Sequence, residues 1–239
     1  GTPMRHFLSL PALAAALLAL LAAAPAPREL SGSLDQGNGK KIAIHARLFL
    51  DDGSPKVCGF YFLEPALVPV LLLGDRVHAD PKSLFLLEYG AGPRSTGSLE
   101  LRDEGAGGRG FNADRSKNGE LSLAPAAGKF PAVRLETNFA GAWKSRGLFS
   151  LELEQRPDER TGKLLGPGTL AEEPRPGCLE LRGAVRGNSA TLTWNNADGS
   201  IGEALLVLAG GCAGWCVTLD TGADAAPWPA GEILVRESP

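Results

Sequence analysis

The chain has 239 residues and a formal net charge of -3, from 24 basic and 27 acidic side chains. That mild acidity supplies no electrostatic footprint for nucleic acid or anionic lipid, so neither is expected as a partner. Glycine (31) and proline (18) are frequent enough to favour short strands and turns over long helices.

Residues 1–26 read as a helical secretory signal peptide. Met4 and Arg5 open it, a Leu/Ala run from Leu13 to Ala24 follows, and Ala22, Ala23, Ala24 and Ala26 suit cleavage. Pro11 interrupts the apolar stretch and leaves it short of the roughly 20 residues that a span requires. The expected location is therefore periplasmic or secreted, with no membrane span after cleavage.

The rest of the chain reads as strands. In "KKIAIHARLFLDDG", Ile42, Ile44, Leu48 and Leu50 alternate with Ala43, His45, Arg47 and Phe49, and Asp51-Asp52-Gly53 makes a turn. "VCGFYFLE" continues as an aromatic strand. "LVPVLLLG", with Pro69 inside it, reads as a buried or edge strand. "SLELR" and "LFSLELEQR" alternate again, and "SATLTW", "EALLVLAG", "CVTLD" and "EILVRE" follow, each bounded by turn residues. No stretch past residue 26 sustains helical spacing. The fold class is all-β: short antiparallel strands in a barrel or a sandwich.

Three short blocks recur in order. "GSLELR" (97–102) matches "GCLELR" (177–182), "NADRS" (112–116) matches "NADGS" (196–200), and "VRLET" (133–137) matches "VTLDT" (217–221). The recurrence predicts two related β-modules, an N-terminal one over 28–156 and a C-terminal one over 174–239, joined by a Pro- and Gly-containing linker over 157–173.

Four cysteines, Cys58, Cys178, Cys212 and Cys216, favour structural disulfides in an oxidising compartment. Cys212 and Cys216 flank "GCAGWC", a stretch that reads as a hairpin loop, which points to a Cys212–Cys216 bond. A bond from Cys178 to either is the rival. The x3 spacing and the scarcity of histidine point away from a metal site, and no cofactor motif is present.

Chemistry is harder to find. "LDTGAD", carrying Asp220-Thr221-Gly222, resembles the catalytic turn of retroviral-type aspartic proteases. The family's later lobe elements do not follow, and no second Asp-Thr-Gly exists to share a proton. Asp220 instead reads as a strand end before a turn. "GAGGRG" (105–110) lacks the Lys-Ser/Thr and helix of a phosphate loop. The acidic pairs Asp51-Asp52, Asp103-Glu104 and Glu172-Glu173 sit beside turns and read as solvated charge. His45 and His78 read as ordinary strand and loop residues. No catalytic residue is assigned. Trp194 falls on a core-facing alternation, whereas Trp215 and Trp228, in Gly- and Pro-rich stretches, are the candidates for a binding surface.

Gly59, Tyr61, Leu72, Gly74, Leu86 or Leu87, and Glu88 form a spaced pattern across three strands. It resembles uncharacterised exported bacterial envelope proteins, with Leu63 where their second tyrosine stands. The resemblance implies a binder or lysozyme-inhibitor-like role. The function expected is a non-catalytic, exported binding or inhibitor-like protein of the bacterial envelope, its partner an envelope macromolecule or glycan. The alternative is a hydrolase with a site assembled from scattered residues. A groove holding converging carboxylates, or a histidine near Ser or Asp, would favour the hydrolase, and a flat or aromatic surface without such a cluster would favour binding.

Overall fold

The computed structural model describes residues 26–237 apart from 38, 52–53, 129, 147–148, 158–161, 171–177, 196–198 and 221–229. The expected signal peptide thus lies outside the described residues. Among the described residues, sixteen strands and one 3-10 turn make up the regular structure, so the fold is all-β.

The first eight strands are β1 (Arg28–Asp35), β2 (Lys41–Leu50), β3 (Lys56–Leu63), β4 (Val70–Val77), β5 (Asp80–Tyr89), β6 (Ser95–Arg102), β7 (Gly107–Asn112) and β8 (Asn118–Pro125). They run up and down in order, and β1 pairs with β8 to close a barrel. The second eight are β9 (Gly141–Lys144), β10 (Phe149–Pro157), β11 (Gly162–Leu170), β12 (Cys178–Arg186), β13 (Ser189–Asn195), β14 (Ile201–Ala209), β15 (Cys212–Asp220) and β16 (Gly231–Arg236). This sheet curls in the same way and closes through the short β9, which pairs with both β10 and β16. Among the described residues no helix is long and apolar enough to cross a membrane.

Period-two patterning places the cores. In barrel one, Leu30, Ile44, Ala46, Leu48, Val57, Leu72, Leu84, Leu86, Leu99 and Leu101 point inward and fill the interior. In barrel two the filling is aromatic: Phe139, Trp143, Phe149, Trp194 and Trp215 pack with Leu151, Leu192 and Leu206. The opposite faces of β3, β4, β14 and β15 meet between the barrels. There Phe49, Phe60, Phe62, Leu71 and Leu73 pack against Leu205, Val207, Ala209 and Ile233. This is why "ALLVLA" is continuously apolar: Ala204, Leu206 and Leu208 face the barrel-two core, and Leu205, Val207 and Ala209 face barrel one.

The module boundaries differ from the expectation. Barrel one ends at Pro125, the connecting strap is 126–140, and the expected linker over 157–173 contains β11, paired on both sides. The Pro and Gly content of that stretch suggested a linker. The β10–β11 register passes from Leu151↔Gly168 to Glu154↔Leu165, leaving Gly166 and Pro167 without a partner on β10, which suits a residue with no N–H. The repeated blocks also fall at unequal places. "SLELR" is the sixth strand of barrel one, its match lies in the fourth strand of barrel two, and "VRLET" belongs to the strap rather than to a strand.

The disulfide joins Cys58 to Cys216, not Cys212 to Cys216. Gly210 and Gly211, at φ 61° and 78°, make a two-residue hairpin turn, so Cys212 already belongs to β15. Cys212 and Cys216 are then four residues apart on one strand, about 13 Å, beyond the reach of a bond. Their shared outward face meets β3, which supplies Cys58. Cys212 is buried as a free thiol, and burial pushes its pKa up.

Candidate functional site

The outward faces of β1, β2 and β3 carry two polar rows. Because Leu30, Ala46 and Leu48 point inward, Glu29, Ser31, His45 and Arg47 point outward. The registers align Glu29 with Arg47 and Phe60, and Ser31 with His45 and Phe62.

The first row is an ion pair on an aromatic floor. Arg47 Nη2 donates to Glu29 Oε1 at 2.6 Å. Its guanidinium lies 5.6 Å from the Phe60 ring centroid and 4.7 Å from that of Phe130, a strap residue. Among the described residues, the buried Arg47 Nε has no hydrogen-bond partner. The strap is tied down beside it by Ala126 N–H donating to the Glu29 carbonyl at 2.9 Å. Between strap and barrel lies a groove of about 390 Å³, lined by Glu29, Arg47, Phe130, Pro131, Val133 and Leu135 among others.

The second row is a chain of three polar side chains. Ser31 Oγ lies 2.8 Å from His45 Nδ1, and Glu64 Oε1 lies 3.1 Å from His45 Nε2. The imidazole stacks on Phe62 at 5.3 Å, and Phe130 meets both rings edge-on. A serine, a histidine and a carboxylate in sequence are the parts of a nucleophilic hydrolase. The backbone does not complete it. Ser31 sits within a strand paired on both sides, to His45 and to Ala124. Its neighbouring amides are therefore committed to the ladder and leave no backbone oxyanion hole, the largest catalytic contribution in such enzymes.

A third feature lies inside barrel one. Glu88 on β5 and Tyr61 on β3 flank the interior position of Leu72 and share a hydrogen bond. Burial pushes the Glu88 carboxyl up to about 7 from its ordinary 4.5, and the bond from Tyr61 only partly offsets this. Burial, and then the charge of Glu88, push the Tyr61 hydroxyl well above its ordinary range. Gly97 on β6 makes the room: a Cβ there would stand 2.3 Å from Glu88 Oε2. Gly59, Tyr61, Leu72, Gly74, Leu86 and Glu88, the residues of the spaced sequence pattern, share this inward face in adjoining registers.

Among the described residues every tryptophan is buried, so none of Trp143, Trp194 and Trp215 contributes to a surface. Trp215 is fully buried in barrel two, stacked on Trp194 at 5.8 Å and tilted against Phe149 at 5.3 Å. Alternation along β15 sends Ala213 and Trp215 inward and Cys212 and Cys216 outward, so Trp215 is core. Trp228 lies outside the described residues. Asp220 is the last residue of β15, and Thr221-Gly222 lies outside the described residues. Of the acidic pairs, Glu104 forms an ion pair with Arg28 across one end of barrel one.

The groove and the Ser31–His45–Glu64 chain were not singled out by sequence. The alternation in "AIHARL" marks His45 and Arg47 as sharing a face. Their partners on β1 and on the strap depend on register and on long-range packing, which carry no local signal. No family model matches the chain, and no curated protein or solved structure matches it either.

Proposed function

We propose that this chain is a non-catalytic binding or inhibitor-like protein of the bacterial envelope, and that its ligand site is the groove between barrel one and the strap. The observation that carries the reading is the Glu29–Arg47 pair on the Phe60 and Phe130 rings, at the floor of a space of about 390 Å³. A charged pair set beside aromatic and aliphatic side chains in an open groove of that volume can hold a small polar ligand or a polar side chain of a partner. A disulfide is compatible with an oxidising, exported location, which the Leu/Ala run before Pro25 also supports. The test is a titration of isotope-labelled protein with envelope glycans and peptides, read by amide chemical shifts. Shifts clustered at Glu29, Arg47 and Phe130 and lost in Arg47→Ala support the reading. Saturable binding that leaves those amides unmoved overturns it.

One observation favours the hydrolase, the Ser31–His45–Glu64 chain. In that reading His45 Nδ1 takes the Ser31 proton as Oγ attacks an ester carbonyl, the ester C–O bond breaks and the alcohol leaves with that proton, and water then hydrolyses the Ser31 acyl ester to release the acid and restore the hydroxyl. Because the amides beside Ser31 are committed to the β1 ladder, we rank it second. A fluorophosphonate probe separates the two: covalent labelling of Ser31, lost in His45→Ala, selects the hydrolase.

A further inference from the structure

Residues 131–136 carry a strand's pattern without a strand's partner. Pro131, Val133 and Leu135 are half-buried, whereas Ala132, Arg134 and Glu136 are exposed. Val133 and Leu135 pack on the cluster between the barrels. Exposure of period two is the mark of an extended chain. Both neighbouring sheets are closed, so neither has an edge to receive this segment. Among the described residues, no backbone–backbone hydrogen bond reaches 131–136.

We propose that this segment pairs antiparallel with the same segment of a second copy of the chain, about a twofold axis at Leu135. The sequence "VRLET" is self-complementary in that register. Centring on Leu135 places Arg134 opposite Glu136 of the second copy, and Glu136 opposite Arg134 of the second copy, both on the solvent face. Opposite charges directly across antiparallel strands stabilise the pairing, and like charges oppose it. Among the described residues Arg134 has no ion-pair partner, so its charge is available. Glu136 meets Arg236 at 2.9 Å, and its carboxylate retains capacity for a second donor. An isologous contact of this kind closes at two copies. Pro131, which lacks an N–H, and the buried Phe139 bound the paired stretch. The contact is therefore short, and the dimer is weak and concentration-dependent. The proposal does not rest on the binding reading, because it concerns the strap's main chain and not the groove's ligand.

Sedimentation velocity of the full oxidised chain over a concentration series tests it. The wild type should show a dimer fraction that rises with concentration. Arg134→Glu sets Glu against Glu, and Glu136→Arg sets Arg against Arg, so each alone should raise the dimer dissociation constant by about tenfold or more. The Glu136–Arg236 pair is part-exposed and contributes little to the fold, which near-ultraviolet circular dichroism verifies. Mixing the two variants should restore dimers, because every cross-strand pair is then of opposite sign. A wild type that stays monomeric throughout overturns the proposal. So does a dimer indifferent to Arg134→Glu, or a mixture that remains monomeric.

Discussion

Cys58 in β3 and Cys216 in β15, 158 residues apart in sequence, join the outer wall of barrel one to the outer wall of barrel two. The bond crosses the apolar interface rather than closing a hairpin. Non-reducing peptide mapping should recover one linked peptide containing Cys58 and Cys216. Cys58→Ser with Cys216→Ser should lower unfolding free energy by about 2–5 kcal/mol, since so long a loop strongly restricts the unfolded chain. Denaturant unfolding of the variant under oxidising conditions measures this, and an unchanged midpoint would count against it.

Cys212 should stay a thiol in the native protein. It is buried, and burial raises its pKa, so both access and thiolate are scarce. Iodoacetamide should label it only after denaturation. Rapid native labelling at neutral pH would show that the interface opens.

The Glu88 carboxyl gives the fold a pH dependence of definite sign. Its pKa is about 7 in the folded chain and near 4.5 when unfolded. A raised folded value means that its contribution is complete below pH 4.5 and is lost as pH rises through 7. Glu88→Gln removes this dependence. The stability of wild type relative to Glu88→Gln should fall by up to about 3 kcal/mol between pH 4.5 and pH 8. Thermal unfolding of both proteins at the two pH values reads the difference, and parallel curves would place Glu88 in solvent.

Trp215→Ala should damage stability rather than binding. The side chain is fully buried and stacked in barrel two. Its loss should remove about 3–5 kcal/mol, measurable by chemical unfolding. A stable variant would mean that the indole lies outside the core.

The all-β class and the inward and outward faces of β2 were legible because period two is a local signal. Ile44 and Leu48 were readable as core, and His45 and Arg47 as their opposites. The hairpin of β14 and β15 was also legible, but not its turn. The glycines of "GGCAGWC" spread the turn signal over seven residues, and only Gly210 and Gly211 use it. That displacement moved Trp215 from an expected loop to the core and put Cys212 and Cys216 on one face. The rest is non-local. Nothing near Ser31 announces His45, and nothing near Cys58 announces Cys216, because barrel closure and inter-barrel packing choose those partners.

The two-sided burial of β14 bears on how the chain comes into being. Synthesis delivers barrel one first, and its outer face presents Phe60, Phe62, Leu71 and Leu73 before β14 and β15 exist to cover them. A nascent chain at that point holds a completed barrel with a naked greasy flank, the kind of surface that holdase chaperones recognise and that aggregates when they are absent. Truncations ending between the barrels should therefore be the least tractable fragments of this protein, although their own eight-stranded sheet is whole.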